Sequence, residues 1–537
     1  MKRLTISLTV FFLALPALAQ KVQERVYVTT DRDWYAAGET VYLSAFCTDV
    51  SAGVRLSPVS AVAYVELTSA DGMALSGKVA LFQGRGAGSL VLPRTLPSGN
   101  YRLSAYTRIS SADPLAGSRI ISVYNTLVTS RVSGGVTVGT APASASVPDV
   151  SSFIQVRNLP DGGMGLTSLT DASLSVSVFR NEPFPSYGSV SLSDALGAAP
   201  GPSPVQTVPE YDGEILYLTL TRSDGSPLSG DDSPEVFVSR PGRPEDLYPA
   251  TVQPDGSAHV FTGNLFGSGN LVITLDEKVP AFRVQIANPF RELAPGSIPS
   301  LVLDPALAPV LSRLGARMQV TEAFDADTLY NRLPIRNLDF LQDENVIRYR
   351  LEDYTRFSTL QEVLTEYLSD IRSRRRGEGL ELQVRCRVRP DAAPLFMEGP
   401  SLILVDGVPV LQHSLVLDLD PALVKCVDVY PYSYAVGNNV YTGIANFITY
   451  KGDMGGIRFG DNVRVVDYLG PAYPVAFGPS PDPGYPNQRE TVLWWPMVDV
   501  KAGQELILPV LKTSEGLILV VEGLTADGTP VYFRSGH

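Results

Sequence analysis

Residues 402–410 read Leu402-Ile403-Leu404-Val405-Asp406-Gly407-Val408-Pro409-Val410. Two short apolar runs meet at Asp-Gly, a pair suited to a type I′ turn because both of its central positions need positive φ. The stretch predicts a hairpin with a buried strand on its N-terminal side. Upstream, Leu360, Val363, Leu364, Tyr367, Leu368 and Ile371 recur at the spacing of one helix face. That pattern predicts a helix over 358–371, capped by Ser358 with Gln361 closing a capping box. Arg372 and Arg374–Arg376 would sit as a solvated cluster at its C-terminal end. Downstream, Asp420-Pro421 opens a short helical turn, and Val427-Asp428-Val429 and Ala445–Thr449 read as strands. Helix and mixed strands together predict one compact α+β unit over residues 350–455.

Outside this unit the texture is β. From Val22 to about Thr126, runs such as Thr40–Leu43, Ala63–Leu67 and Tyr101–Tyr106 alternate apolar with polar and are split by turn residues, which predicts a sandwich. A Gly/Ala/Ser/Pro stretch from Ser133 to Ser144 reads as a linker, followed by a further β pattern best seen at Ala172–Phe179. Strands recur at Ile215–Thr221, Val236–Val238, His259–Phe261 and Asn270–Leu275, and again at Glu505–Val510 and Leu517–Val521. The expected partition is a sandwich over 20–127, a second sandwich-like domain over 128–208 and a small β domain over 209–298. A connecting segment over 299–349, the α+β unit over 350–455 and a C-terminal β domain over 456–537 complete it.

The whole chain fits that plan. It has 537 residues, 44% hydrophobic and 18% charged, enough for several buried cores and too apolar for general disorder. A net charge of −13 with no basic patch argues against nucleic acid as a partner. Lys2-Arg3, the apolar run Leu4–Leu15 and the small-x-small site Ala17-Leu18-Ala19 read as a secretory signal peptide over 1–19. No Cys follows the cleavage site to carry a lipid, so the expected location is the periplasm, the outer membrane or the cell surface. Removing residues 1–19 takes away two cations and no acid, leaving an acidic exported protein.

Several candidate chemistries fail on residue supply. A Ser/His/Asp or Cys/His site needs a histidine base, and only His259, His413 and His537 exist, with no Gly-x-Ser-x-Gly elbow. His259 and His413 read as surface or packing residues. No His-x-x-His or Cys-x-x-Cys supplies metal ligands. Gly84-x-Gly86-x-Gly88 has no helix after it to hold a phosphate and reads as a loop. Asp418/Asp420 and Asp231/Asp232 read as a helix cap and a turn. Catalytic, cofactor-binding and metal residues are therefore expected to be none, and the protein is expected not to be an enzyme. Cys386 and Cys426 both fall on expected strands, where an oxidising compartment permits a disulfide; with Cys47 as an odd third thiol, the pairing stays open.

Four blocks of the α+β unit, Leu360–Leu364, Leu402–Val410, Leu417–Val429 and Tyr441–Gly452, resemble the plug domain of TonB-dependent outer-membrane receptors in order and spacing. Tyr27-Val28-Thr29-Thr30-Asp31-Arg32-Asp33-Trp34-Tyr35-Ala36-Ala37-Gly38-Glu39-Thr40-Val41-Tyr42-Leu43 resembles the opening of a macroglobulin-type sandwich, and Arg489–Pro496 looks like the start of another. Together the chain resembles Bacteroidetes-type exported proteins in which macroglobulin-like β domains bracket a plug-like domain. The resemblance implies a mainly β, multi-domain protein of Ig/macroglobulin-like sandwiches plus one α+β plug-like domain. A receptor's own 22-stranded barrel, at about 10 residues per strand, would need over about 220 residues after the plug; no barrel is expected here. The thioester motif Gly-Cys-Gly-Glu-Gln is absent around Cys47, Cys386 and Cys426, so no covalent protease trapping is expected. The implied function is a non-catalytic interaction protein that binds a partner at the outer membrane or in the periplasm, such as a β-barrel lacking its own plug. The alternative is a surface adhesin for glycan or host protein. Asp327-Thr328-Leu329 also matches a short O-glycosylation pattern of that bacterial group.

Overall fold

The computed structural model describes residues 22–51, 53–110, 117–128, 132–140, 142, 152–160, 163–188, 192–197, 208–229, 231–263, 265–279, 281–324, 331–335, 345–354, 357–377, 379–389, 391–479, 488–509 and 516–536. The expected signal peptide and the Asp327-Thr328-Leu329 pattern lie outside the described residues. Strand makes up 49% and helix 10%, so the protein is mainly β, with many sheets and no barrel among the described residues. No described helix is long and apolar enough to cross a membrane.

The first sandwich packs the strands Glu24–Thr30, Thr40–Asp49, Arg55–Leu56 and Arg85–Val91 over a five-stranded sheet containing Trp34–Ala36, Val62–Ser69, Gly72–Ala80, Gly99–Tyr106 and Arg119–Tyr124. Alternation puts Val41, Leu43, Ala45 and Cys47 inward from one sheet to meet Ala63, Val65, Leu67 and Ile121 from the other.

Other units close only through distant segments. Ala172–Arg180 pairs on one side with Thr491–Val500 and on the other with Leu517–Thr525, while Met164–Ser168 pairs with Glu505–Leu508. The expected separate domains 128–208 and 456–537 therefore share one discontinuous sandwich, because neither half has enough strands to cover its own apolar face. The middle sandwich, built from strands between Ile215 and Ile286, likewise borrows Val463–Leu469 as an edge strand beside Ser268–Thr274. The supposed connecting segment 299–349 holds a 16-residue helix, Ala308–Ala323, which Pro309 near its start favours. Its Leu314 and Met318 wedge between Trp34 and Tyr124 of the first sandwich and Phe179 and Ile518 of the discontinuous one.

In the α+β unit, Asp406 and Gly407 have φ of 50° and 82°, as the Asp-Gly reading requires. Leu402–Val405 runs parallel to Asn439–Thr449, which pairs antiparallel with Val424–Val436. The helix is shorter than its pattern: it spans Leu360–Glu366, and the capping box is made by Thr359 and Glu362 instead of Ser358 and Gln361. Ile371–Arg376 is a strand, so the arginines do not end a helix. That strand pairs with Gly379–Cys386, where Arg374 meets Glu381 at 2.9 Å and Arg372 meets Gln383 at 2.8 Å. Leu360, Val363, Leu364 and Leu368 pack on Ile403, Val405 and Phe447, with Tyr367 partly buried at the rim. The opposite sheet face, through Leu402, Leu404 and Tyr430, packs on Phe237 and Leu247 of the middle sandwich. Gly443 has φ +83°, and a Cβ there would come within 2.6 Å of Val384 Cγ1, so only glycine fits.

Phe447 is fully buried at the centre of this unit. Phe447→Ala should cost about 3–5 kcal/mol, read as an early urea transition accompanied by new proteolytic cleavage within 350–455; a single unchanged transition would refute this packing.

Candidate functional site

The two segments that resemble domain openings meet each other. Asp31 is fully buried and accepts from the Tyr42 N–H at 3.0 Å, the Tyr35 hydroxyl at 2.7 Å and Arg32 Nη1 at 3.0 Å, with Thr491 from the discontinuous sandwich donating a further bond. Arg32 also reaches Glu39 at 2.7 Å and Thr491 Oγ1 at 2.9 Å, and its guanidinium lies 4.4 Å from the Tyr35 ring centroid. Burial pulls the Arg32 pKa down, but Glu39 and Asp31 more than reverse this. Beside it, Glu490 pairs with Arg317 of the 308–323 helix at 3.2 Å. Burial, with the neighbouring Glu39 charge, pushes the Glu490 carboxyl up to about 7.

A second polar knot joins the first and middle sandwiches. Lys78 lies 2.6 Å from Glu214, both buried, and the Tyr468 hydroxyl donates to the same carboxylate at 2.6 Å. Tyr64 donates to Glu210 at 2.8 Å and Arg108 pairs with Glu210 at 3.1 Å. Burial lowers the Lys78 pKa against the pull of Glu214, and burial raises Glu210.

Above this knot a cleft of about 680 Å³ opens where three sandwiches meet. The first contributes Val62, Leu81, Phe82 and Arg85, the middle one Tyr211, Phe266 and Tyr468, and the discontinuous one Met497 and Asp499. Phe82 and Tyr211 are each 61% exposed, large aromatic faces held at a concave surface. The Arg85 side chain is 11% exposed and pairs with Asp499 through Nη1, while its Nε and Nη2 have no hydrogen-bond partner among the described residues. Burial lowers the Arg85 pKa. Apolar walls with two exposed aromatic rings suit binding.

The residues singled out from sequence fall elsewhere. His259 is exposed with its ring 4.7 Å from Tyr217. His413 accepts from the Leu382 N–H through Nδ1 at 2.9 Å, and burial pulls its pKa down to about 4. Asp420 caps a short turn by accepting from the Ala422 N–H, Asp418 is exposed, and Asp232 pairs with Arg222 at 2.6 Å. Gly84 sits at a tight turn with φ +76°, but Gly86 and Gly88 belong to the strand Arg85–Val91, which corrects the loop reading. Cys386 and Cys426 are free and buried, and no disulfide joins them: Cys426 pairs in register with Arg350 and Ile448 in one sheet and Cys386 with Leu395 in another. No group of three or more His, Cys, Asp or Glu that could hold a metal occurs among the described residues. Sequence reasoning missed the cleft entirely. The available signal was charge inside apolar strands, as at Lys78 beside Val79, and aromatic residues at turns, as at Phe82.

No protein-family model matches the chain, and no curated protein matches it. Among solved structures, it is similar to trypsin-activated alpha-2-macroglobulin from Escherichia coli, at 10% identity and TM-score 0.23, covering 96% of this chain and 41% of that one. Salmonella alpha-2-macroglobulin reacted with methylamine matches at 10% identity and TM-score 0.16, covering 96% and 23%. A tetra-tandem repeat from the extending region of a large adhesion protein matches at 11% identity and TM-score 0.12, covering 95% and 98%. The chain thus spans less than half the length of the macroglobulins it matches.

Two outcomes follow from the buried charges. Lys78→Met leaves Glu214 without its cation and should cost about 3–5 kcal/mol, whereas Lys78→Met with Glu214→Gln should recover most of that; equal losses in the two proteins would refute a coupled pair. For Glu490, the folded pKa of about 7 stands above the ordinary 4.5, so between these values the native state holds a proton that the unfolded chain has released. Its contribution to stability therefore falls as pH rises through that window. Glu490→Gln should flatten this slope in urea midpoints, and an unchanged slope would refute the assignment.

Proposed function

We propose that the protein is a non-catalytic, exported interaction protein that binds a partner protein at the outer membrane through its plug-like unit and its macroglobulin-like sandwiches. The observation that most supports this is the cleft of about 680 Å³, with the exposed rings of Phe82 and Tyr211 at its rim. Exposed aromatics beside a concavity are the usual anchors of protein contacts. The α+β unit supports the same reading. One sheet face is covered by the middle sandwich and the other by its own helix. An aromatic surface lies around Tyr354, Tyr367 and Tyr450, where the rings of Tyr354 and the partly buried Tyr367 lie 4.3 Å apart and Tyr450 is exposed.

Photo-crosslinking residues at Tyr211 and Tyr450, expressed in a host with an outer membrane, test this. The expected outcome is capture of the same outer-membrane or periplasmic protein from both positions. Cleavage of the protein by protease added to intact cells, with glycan or host protein bound and no envelope partner captured, would favour an adhesin instead. Turnover of peptide, ester or glycan substrates that disappears on changing one buried Asp or Glu would overturn the non-catalytic reading.

A further inference from the structure

The arginines that the sequence pattern sets at a helix end belong to a small sheet. Residues 371–389 hold seven arginines and two acids, in a chain whose net charge is −13. Ile371–Arg376 pairs with Gly379–Cys386, which pairs in turn with Leu395–Phe396. Residues directly opposite one another share a face, so Ile371, Leu382 and Val384 turn inward to the core while Arg372, Arg374, Arg385 and Phe396 lie on the other side. There the exposed Arg372 and the half-buried Arg385 converge on Phe396, their guanidinium carbons 4.1 and 5.0 Å from its ring centroid.

Much of this charge is not neutralised. Glu381 is held by Arg374 at 2.9 Å and Asp391 by Arg389 at 3.2 Å. Arg372 donates to the uncharged Gln383 amide oxygen at 2.8 Å, and Arg387 to the Ala392 carbonyl at 3.2 Å. Arg375 is exposed, and with Arg372, Arg385 and Arg387 it has no carboxylate partner among the described residues. At the end of the same sheet, Val388 and Leu395 are 75% and 63% exposed. An acidic protein segment would satisfy the cations and leave these aliphatic side chains in water. An anionic bilayer offers phosphates at the depth of the guanidinium groups and hydrocarbon just beneath, so it satisfies both. The acidic remainder of the chain is screened beyond about 10 Å and does not oppose the approach of this end.

We infer that this end of the α+β unit docks on an anionic lipid surface, with Arg372 and Arg385 taking lipid phosphates while Val388 and Leu395 enter the apolar layer. This goes beyond the partner-binding reading and does not depend on it.

The test is co-sedimentation of the full mature chain with vesicles of phosphatidylcholine, alone or mixed with phosphatidylglycerol. Binding should be confined to the anionic vesicles and should fall about tenfold or more as salt rises from about 0.1 M to about 1 M, where the Debye length shrinks to about 3 Å. Arg372→Gln combined with Arg385→Gln should lower the partition coefficient about tenfold or more, the order expected for two arginines near a charged surface. Val388→Ser combined with Leu395→Ser leaves the charge unchanged and should lower it severalfold. The added tryptophan of Val388→Trp should shift its emission to the blue on anionic vesicles, whereas that of His259→Trp, at an exposed site on the middle sandwich, should not; a merely solvated arginine cluster would move neither. No binding to anionic vesicles, binding that survives either pair of substitutions in a protein of unchanged melting temperature, or equal blue shifts at both tryptophans would overturn the inference. So would capture of a polyglutamate peptide by a protein that ignores the vesicles, which would assign this face to an acidic protein partner.

Discussion

Arg32 is the charge on which the arrangement of the sandwiches depends. It is buried at a junction of two sandwiches, where isolated ionised groups are prohibitively costly. It is tolerated because Asp31 and Glu39 neutralise it while Thr491, Tyr35 and the Trp34 carbonyl complete its surroundings. Four of these partners come from one short stretch, 31–39, and the fifth comes from the other end of the chain. Separating the sandwiches would leave this charge without Thr491 and take the Glu490 carboxylate away from it, while Asp31 and Glu39 stay beside it on the first sandwich. Loss of one partner of a buried ionic network costs more than the network contributes when intact, so such a junction is held in one geometry. The 308–323 helix reinforces it, since Gly38, at φ +103°, lets Met318 approach to 3.2 Å of where a Cβ would stand.

What was legible in the sequence was local. Asp406-Gly407 could be read because a type I′ turn demands positive φ at two adjacent residues, and both have it. Asp420-Pro421 could be read because a cap and its fixed-φ neighbour act within one turn. The helix over 358–371 was read too long because Leu368 and Ile371 continue its apolar spacing after the chain has left the helix; they are buried by a new strand. Ile371–Arg376 is strand because its pairing with Gly379–Cys386 sets Arg374 against Glu381. Clustered arginines look the same in sequence whether they end a helix or edge a sheet. The discontinuous sandwich could not be read at all, since Ala172–Arg180 and Leu517–Thr525 are individually ordinary strands whose partnership leaves no local mark.

The cleft is invisible for the same reason. Its charged and aromatic residues come from separate strands and loops, and none sits in a motif. Arg85 lies in a Gly-rich run whose glycines attract attention first, yet Gly84 serves the turn and Gly86 serves close packing against Ala80 and Val79. The informative residue was the one between them. Asp499 reads as an unremarked strand acid until the discontinuous sandwich brings it against Arg85.

Topology then constrains how the cleft can come into being. The middle sandwich and the α+β unit are an insertion between the two halves of the discontinuous sandwich, leaving after Arg180 and returning at Glu490. The Arg180 N–H bonds to the Glu490 carbonyl at 3.0 Å and clamps the neck of that insertion. Pairing across such separations carries a large loop-closure cost until the inserted units are themselves compact. Those units can form cores of their own, around Phe282 and Phe447, before the neck closes. The strand Thr491–Val500 carries both Thr491 to Arg32 and Asp499 to Arg85, so it makes the two contacts together. Closing the junction and completing the cleft are therefore one event, and the under-paired guanidinium exists only in the finished fold.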